Sequence, residues 1–85
     1  MNTKTNALDK LIGRKIKEAR IAAGVKSKAL AAAINTSTVS MTKYERGTAS
    51  ISASRVALAA DFLHVPVTAL VPSEKEIKAY KKTEE

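Results

Sequence analysis

Apolar residues in this chain recur at three- and four-residue intervals nearly throughout, and nowhere with the alternation of a half-buried strand. Gly24, Asn35, Gly47, Pro66 and Pro72 cut that helical pattern into short pieces. A short helix buries only one stripe and is marginal by itself, so pieces of this length must pack on one another. The pattern predicts an all-α fold of short helices in one compact unit. With 85 residues there is room for one such unit and a small core. Aromatic residues make up 4%, which leaves that core to aliphatic side chains and alanine.

The first helix is expected over about 7–23, with Leu8, Leu11, Ile12, Ile16, Ala19 and Ala23 on one side and Lys10, Arg14, Lys17 and Glu18 on the other. Asn6 and Asp9 suit its start, and Gly24 suits its stop. A second run covers Lys28 to Ile34, with Ser27 as cap, Ala29, Leu30, Ala33 and Ile34 inward, and Asn35 in the tight turn after it. Ser37 caps a third helix, Thr38 to Arg46, closed by Gly47. Its β-branched Thr38, Val39 and Thr42 are mediocre helix formers, so packing through Met41 and Tyr44 must hold it. Two short helices joined by so tight a turn form a helix-turn-helix pattern. Ser52 caps a fourth helix over 53–63, with Val56, Ala59, Ala60 and Leu63 inward. A short fifth helix has Pro66 in its first turn and stops at Pro72. Ser73 and Glu76 stand in capping-box spacing at the head of a polar segment, read as a tail or frayed helix. The expected organisation is an arm over 1–6, a domain over 7–71 and a polar tail over 72–85.

Composition removes several function classes. Without cysteine there is no disulfide framework, thiol nucleophile or thiolate zinc site, and His64 is the single histidine. Eight scattered acids with one histidine and no glycine-rich loop make no catalytic constellation, so neither enzyme, metal nor cofactor is expected. No apolar run approaches the roughly 18 residues of a membrane span. The opening MNTKTNALDKLIGRK has no unbroken apolar stretch, so a secretory signal is not expected and a cytoplasmic location is. The net charge is +7, and it is uneven. Residues 1–28 hold eight bases against two acids, whereas 29–71 hold three against two and 72–85 four against four. A basic small domain points to a polyanion, with nucleic acid ahead of an anionic membrane surface. A membrane-surface role for the first helix would need the apolar stripe that the core requires.

From Ile12 to Val71 the chain resembles the lambda-repressor/Cro-like (XRE-type) helix-turn-helix family of phage and bacterial transcriptional regulators. The resemblance rests on IGRKIKEAR, Gly24 before the second helix, LA at 30–31, the turn NTS at 35–37, KYERG at 43–47 and ALAADFLHVPVTAL. It implies a compact five-helix domain whose third helix enters the major groove of double-stranded DNA. It places base contacts on Thr38, Val39, Thr42 and Lys43, with Ser40 nearby. Thr and Val offer methyls to thymine, and Lys43 can donate to guanine. Phosphate contacts fall on Ser27, Lys28, Ser40 and Arg46. Lys26 stands where relatives place a Ser or Thr cap, Ser27 where they often place Gln, and Thr48, Ala49 and Ser50 where many carry bases. Arg20 and Glu45 match the ion pair that ties the first helix to the end of the third. Arg14 or Lys10, and Lys4 in the arm, are further candidates for the DNA backbone. His64 has a turn role and Tyr44 a packing role.

Leu58 and Phe62, followed by Val67 and Leu70, leave two readings open: a patch covered by Ile77 and Tyr80, or a two-fold dimer contact, which is preferred. The leading expectation is a sequence-specific DNA-binding regulator, a dimeric repressor on a palindromic operator, of phage Cro/repressor or plasmid type. The alternatives are the antitoxin of a toxin–antitoxin pair, binding a protein partner through the tail, and an interaction module that keeps the fold without specific DNA binding. No small-molecule ligand is expected.

Overall fold

The computed structural model describes residues 6–84, so the expected arm lies outside the described residues apart from Asn6. Five helices follow in order: α1 (Ala7–Ala22), α2 (Ser27–Ala33), α3 (Thr38–Arg46), α4 (Ala53–Leu63) and α5 (Glu74–Glu84). One 3-10 turn, Val67–Ala69, lies between α4 and α5, and no strand occurs among the described residues.

Local chemistry sets most of these boundaries. The Asn6 side chain accepts from the N–H groups of Leu8 and Asp9, and the Asp9 carboxylate accepts from Asn6 N–H at 2.9 Å. This reciprocal box satisfies three donors that a helix start leaves free. Ser37 caps α3 by accepting from Ser40 N–H at 3.1 Å, and Ser52 caps α4 by accepting from Arg55 N–H at 3.3 Å. Gly47 ends α3 in the left-handed region at φ 76°. Its N–H donates to the Tyr44 carbonyl and that of Thr48 to the Lys43 carbonyl, closing the helix end. His64 ends α4 in the same region, at φ 58°, where glycine is the usual occupant.

Three boundaries differ from the sequence reading. Ser27 is the first residue of α2 rather than its cap, and Lys26, which makes no side-chain capping bond, holds the cap position that the family resemblance assigns to it. Ala29 is exposed and Ala31 is buried beside Leu30 and Ile34. Ala29 and Ala31 lie about 100° to either side of Leu30, and packing of α2 on α3 and α4 selects Ala31. The expected short fifth helix is a single 3-10 turn with Pro66 at its cap. The polar segment after it forms α5. Its start is a capping box: Glu76 accepts from Ser73 N–H at 2.7 Å, and Ser73 Oγ from Glu76 N–H at 3.2 Å. That first bond holds the Glu76 carboxyl below its ordinary range, helped by Lys15 Nζ at 3.3 Å, which ties α5 to α1.

The core consists of Ile16, Leu30, Ala31, Ile34, Met41, Val56, Ala59, Ala60, Leu63 and Leu70, with Tyr44 packed at its edge. Of the expected α1 stripe, Ile16 is fully buried, Ile12 and Ala19 are partly buried, and Ala23 is exposed. Leu8 and Leu11 instead line an open cleft of about 340 Å³ with Arg14 and Tyr80, between α1 and α5. Leu70 is fully buried. This corrects its assignment to an outward contact face: the 3-10 turn folds its side chain back under α4.

The most extensive helix contact is between α1 and α3, and two glycines permit it. A Cβ on Gly13 would run into the Tyr44 carbonyl oxygen and lie 2.9 Å from that of Glu45. A Cβ on Gly47 would lie 2.5 Å from Lys10 Cα. Both obstacles are backbone, so neither can swing aside. Arg20 locks the other end of this crossing. Its Nε donates to Glu45 Oε2 at 2.7 Å, one terminal nitrogen donates to Glu45 Oε1 at 3.3 Å, and the other donates to the Val25 carbonyl at 3.0 Å. The side chains are 15% and 8% exposed, so this pair is shielded from water, unlike the exposed Lys78–Glu74 pair.

Gly13→Ala is expected to lower stability by about 2–3 kcal/mol despite alanine's better helix propensity. Gly24→Ala, at φ 70° with open space around it, should cost about 1–2 kcal/mol. Urea unfolding followed by circular dichroism separates the two, and equal losses would contradict a steric role for Gly13. Glu45→Leu should cost about 2–4 kcal/mol because it strands the Arg20 guanidinium. Adding Arg20→Met should recover part of that loss, which a double-mutant cycle measures.

Candidate nucleic-acid interface

The outward face of α3 is assembled by what its inward face must do. Met41 is fully buried, and Tyr44 and Glu45 are half-buried against α1 and the core. Thr38, Val39, Thr42, Lys43 and Arg46 therefore share the remaining side at positions i, i+1, i+4, i+5 and i+8. Thr38, Lys43 and Arg46 are exposed, Thr42 is half-buried, and Val39 is 66% exposed, the most open large apolar side chain among the described residues. The helix presents a strip of methyls and hydroxyls with one ammonium midway and a guanidinium at its C-terminal end.

The hydroxyl chemistry is narrower than residue type suggests. Thr42 Oγ1 donates to the Thr38 carbonyl at 3.0 Å. Its proton is thereby engaged, leaving an acceptor oxygen and a methyl for a ligand. Ser40 is half-buried in the cap, where its Oγ accepts from Ser37 Oγ at 3.2 Å and retains its own proton for an outside acceptor. Thr48 Oγ1 donates to the Lys43 carbonyl at 3.3 Å, which stiffens the loop behind Lys43 and Arg46.

Around this face stand further cationic groups. At the start of α2, Lys28 is exposed and Ser27 half-buried, in a first turn with no side-chain cap. Lys10 lies against Gly47, which places the N-terminal half of α1 beside the C-terminal end of α3. Exposed Arg14 is one turn further along α1. On the α4 side of the molecule, Leu58 and Phe62 are each 40% exposed and Val67 is 45% exposed. α5 packs chiefly on α1 and leaves these three side chains accessible. Among the described residues no group of acids and histidines is placed to hold a metal ion, and no single helix is long and apolar enough to cross a membrane.

Two structural residues escaped the sequence reading. Gly13 leaves a signal, because an isolated glycine inside a strongly periodic helix costs about 1 kcal/mol and implies a packing reason. Arg55 leaves none. It is half-buried and donates to two backbone carbonyls.

Comparison with known proteins agrees with this geometry. Residues 11–71 match a family model described as a helix-turn-helix domain. Among solved structures, the clp gene regulator ClgR from Corynebacterium glutamicum superposes with a TM-score of 0.73 at 24% identity, over 78% of this chain and 70% of that one. The restriction-modification controller protein C.AhdI from Aeromonas hydrophila gives 0.71 at 23% identity, over 76% of this chain and 98% of the other. The BldD DNA-binding domain of S. venezulae gives 0.68 at 29% identity, over 79% and 100%. No curated protein is similar enough in sequence to match. The family model spans both helices of the motif and the core that supports them, well over half of the sequence. The chain belongs to the helix-turn-helix domain family.

Proposed function

We propose that this protein is a DNA-binding transcriptional regulator that reads the major groove of double-stranded DNA with α3 and represses as a dimer. The observation that carries the proposal is the outer face of α3. Exposed Val39, set between threonines and next to Lys43, is well suited to thymine methyls and a guanine edge. The likeness to ClgR, a clp gene regulator, and to the BldD DNA-binding domain supports the same reading.

In this reading the roles divide by chemistry. Thr38, Val39 and Thr42 contact T/A-rich base edges, with Thr42 serving as methyl and acceptor. Lys43 donates to guanine. Lys28 and Arg46 hold phosphates, with Ser27 and Ser40 as hydroxyl donors beside them, and these contacts set register without selecting sequence. The excess positive charge on residues 1–28 adds long-range attraction to the duplex. Leu58, Phe62 and Val67 form the two-fold contact, without Leu70. A dimer built this way sets its two copies of α3 about 34 Å apart, one turn of B-DNA. Repression then requires only that the dimer occupy an operator over a promoter.

In vitro selection from random duplexes at near-physiological salt is expected to enrich a palindrome with half-sites one turn apart. Binding that depends on salt but enriches no sequence would contradict the reading. Lys43→Ala should change preference at one position and cost about 1–3 kcal/mol on the selected site. Arg46→Ala should weaken binding to all duplexes alike and flatten the logarithmic salt slope by about one. Fluorescence anisotropy over a salt series on selected and random duplexes reads both outcomes.

A further inference from the structure

The two helices of the motif are joined by a turn whose carbonyl side faces α4. Asn35 sits there in the left-handed region at φ 59°. Asn35 N–H donates to the Ala32 carbonyl and Thr36 N–H to the Ala31 carbonyl, so the turn's donors are satisfied within α2. The carbonyls of Ile34 and Asn35, at the end of that helix, have no helical donor. Arg55, in the first turn of α4, supplies both bonds. Its Nε donates to the Ile34 carbonyl at 3.2 Å and its Nη2 to the Asn35 carbonyl at 3.1 Å. No carboxylate pairs with it among the described residues, so the guanidinium is committed to backbone. Two residues beyond the second of these carbonyls is Ser37, the cap of α3.

We propose that Arg55 is a positioning residue for DNA reading. It clamps the turn from behind, so that α3 starts at a fixed place and angle relative to α4. Arg20 does the corresponding job at the far end of α3 through Glu45. With both ends held by guanidinium forks, Thr38 and Val39 meet the groove already oriented. Releasing the first end lets the N-terminal turn of α3 move while phosphate contacts elsewhere persist. Specific recognition, which needs simultaneous base contacts, is then lost ahead of non-specific binding. This inference rests on the DNA-binding reading above, and it predicts a loss of discrimination rather than of charge.

The test uses Arg55→Met and Arg55→Lys in the full chain. Lysine keeps the charge but cannot reproduce the fork. Affinities for the selected duplex and for a random duplex are measured over a salt series, and amide exchange is followed by NMR without DNA. Both variants are expected to lose about tenfold in the ratio of selected to random affinity, with an unchanged salt slope. Amides of Thr36–Ser40 should exchange about tenfold faster than in the wild type, with those of α1 unaffected. If Arg55→Lys behaves as wild type while Arg55→Met weakens every duplex and flattens the slope, Arg55 is a phosphate contact and the proposal fails. It fails also if the ratio is unchanged, whether exchange is unaltered or accelerated throughout. Should Arg55→Met not fold, Arg55→Lys decides by the same measures. A wild-type protein that binds no duplex overturns the DNA-binding reading instead. Positioning of α3 is then judged by exchange alone, and unchanged exchange at Thr36–Ser40 overturns it too.

Discussion

The close crossing of α1 and α3 is the constraint on which the rest of this structure depends. Gly13 lets the α3 carbonyls of Tyr44 and Glu45 come into direct contact with α1, and Gly47 lets the chain leave α3 beside Lys10. A helix as short as α3, with three β-branched residues, gains little from intrinsic propensity. It is helical because Met41 and Tyr44 bury one side and because its backbone lies against that of α1. The Arg20–Glu45 pair then fixes the rotation of one helix on the other. Only with that rotation fixed do Val39 and Lys43 face outward together.

The distribution of charge and apolar surface follows from the same arrangement. The basic excess lies on α1 and the start of α2, whereas the outer face of α3 is mostly methyl and hydroxyl. On the DNA-binding reading proposed above, attraction and discrimination would be carried by different elements: a long-range field from α1 and the start of α2, and close contact by the weakly charged strip on α3. The apolar side chains left open on the other flank, Leu58, Phe62 and Val67, lie around the end of α4, away from that strip in sequence and in packing.

Much of the fold was legible because its signals are local. Ser37, Gly47 and Ser52 mark helix ends by hydrogen bonds that span a few residues, and α3 and α4 have the bounds those residues imply. The inward set Val56, Ala59, Ala60 and Leu63 follows from helical geometry alone. Where alanines crowd together the pattern loses information, which is why Ala29 and Ala31 exchange places. Position α5 is different again. Its polar composition leaves a tail or a frayed helix open, and the capping box that its spacing signals starts the helix while Lys15 and the side of Tyr80 hold it against α1. On the outer face of α3, residue types and their order could be read directly. The engaged hydroxyl of Thr42 could not, because it depends on a rotamer set by the finished helix.

The sequence by itself determined the all-helical class, the ends of α3 and α4, the clustering of positive charge near the start of the chain and the identity of the side chains along α3. Those properties follow from composition, periodicity and hydrogen bonds between near neighbours. Tertiary structure alone decided which side of α2 is buried, that Leu70 turns inward while Val67 stays out, that Gly13 marks a point of backbone contact and that Arg55 holds a turn twenty residues before it. Each of these depends on atoms brought together from distant parts of the chain, where no spacing rule applies. The packing of the helices chooses among faces that the sequence leaves equivalent.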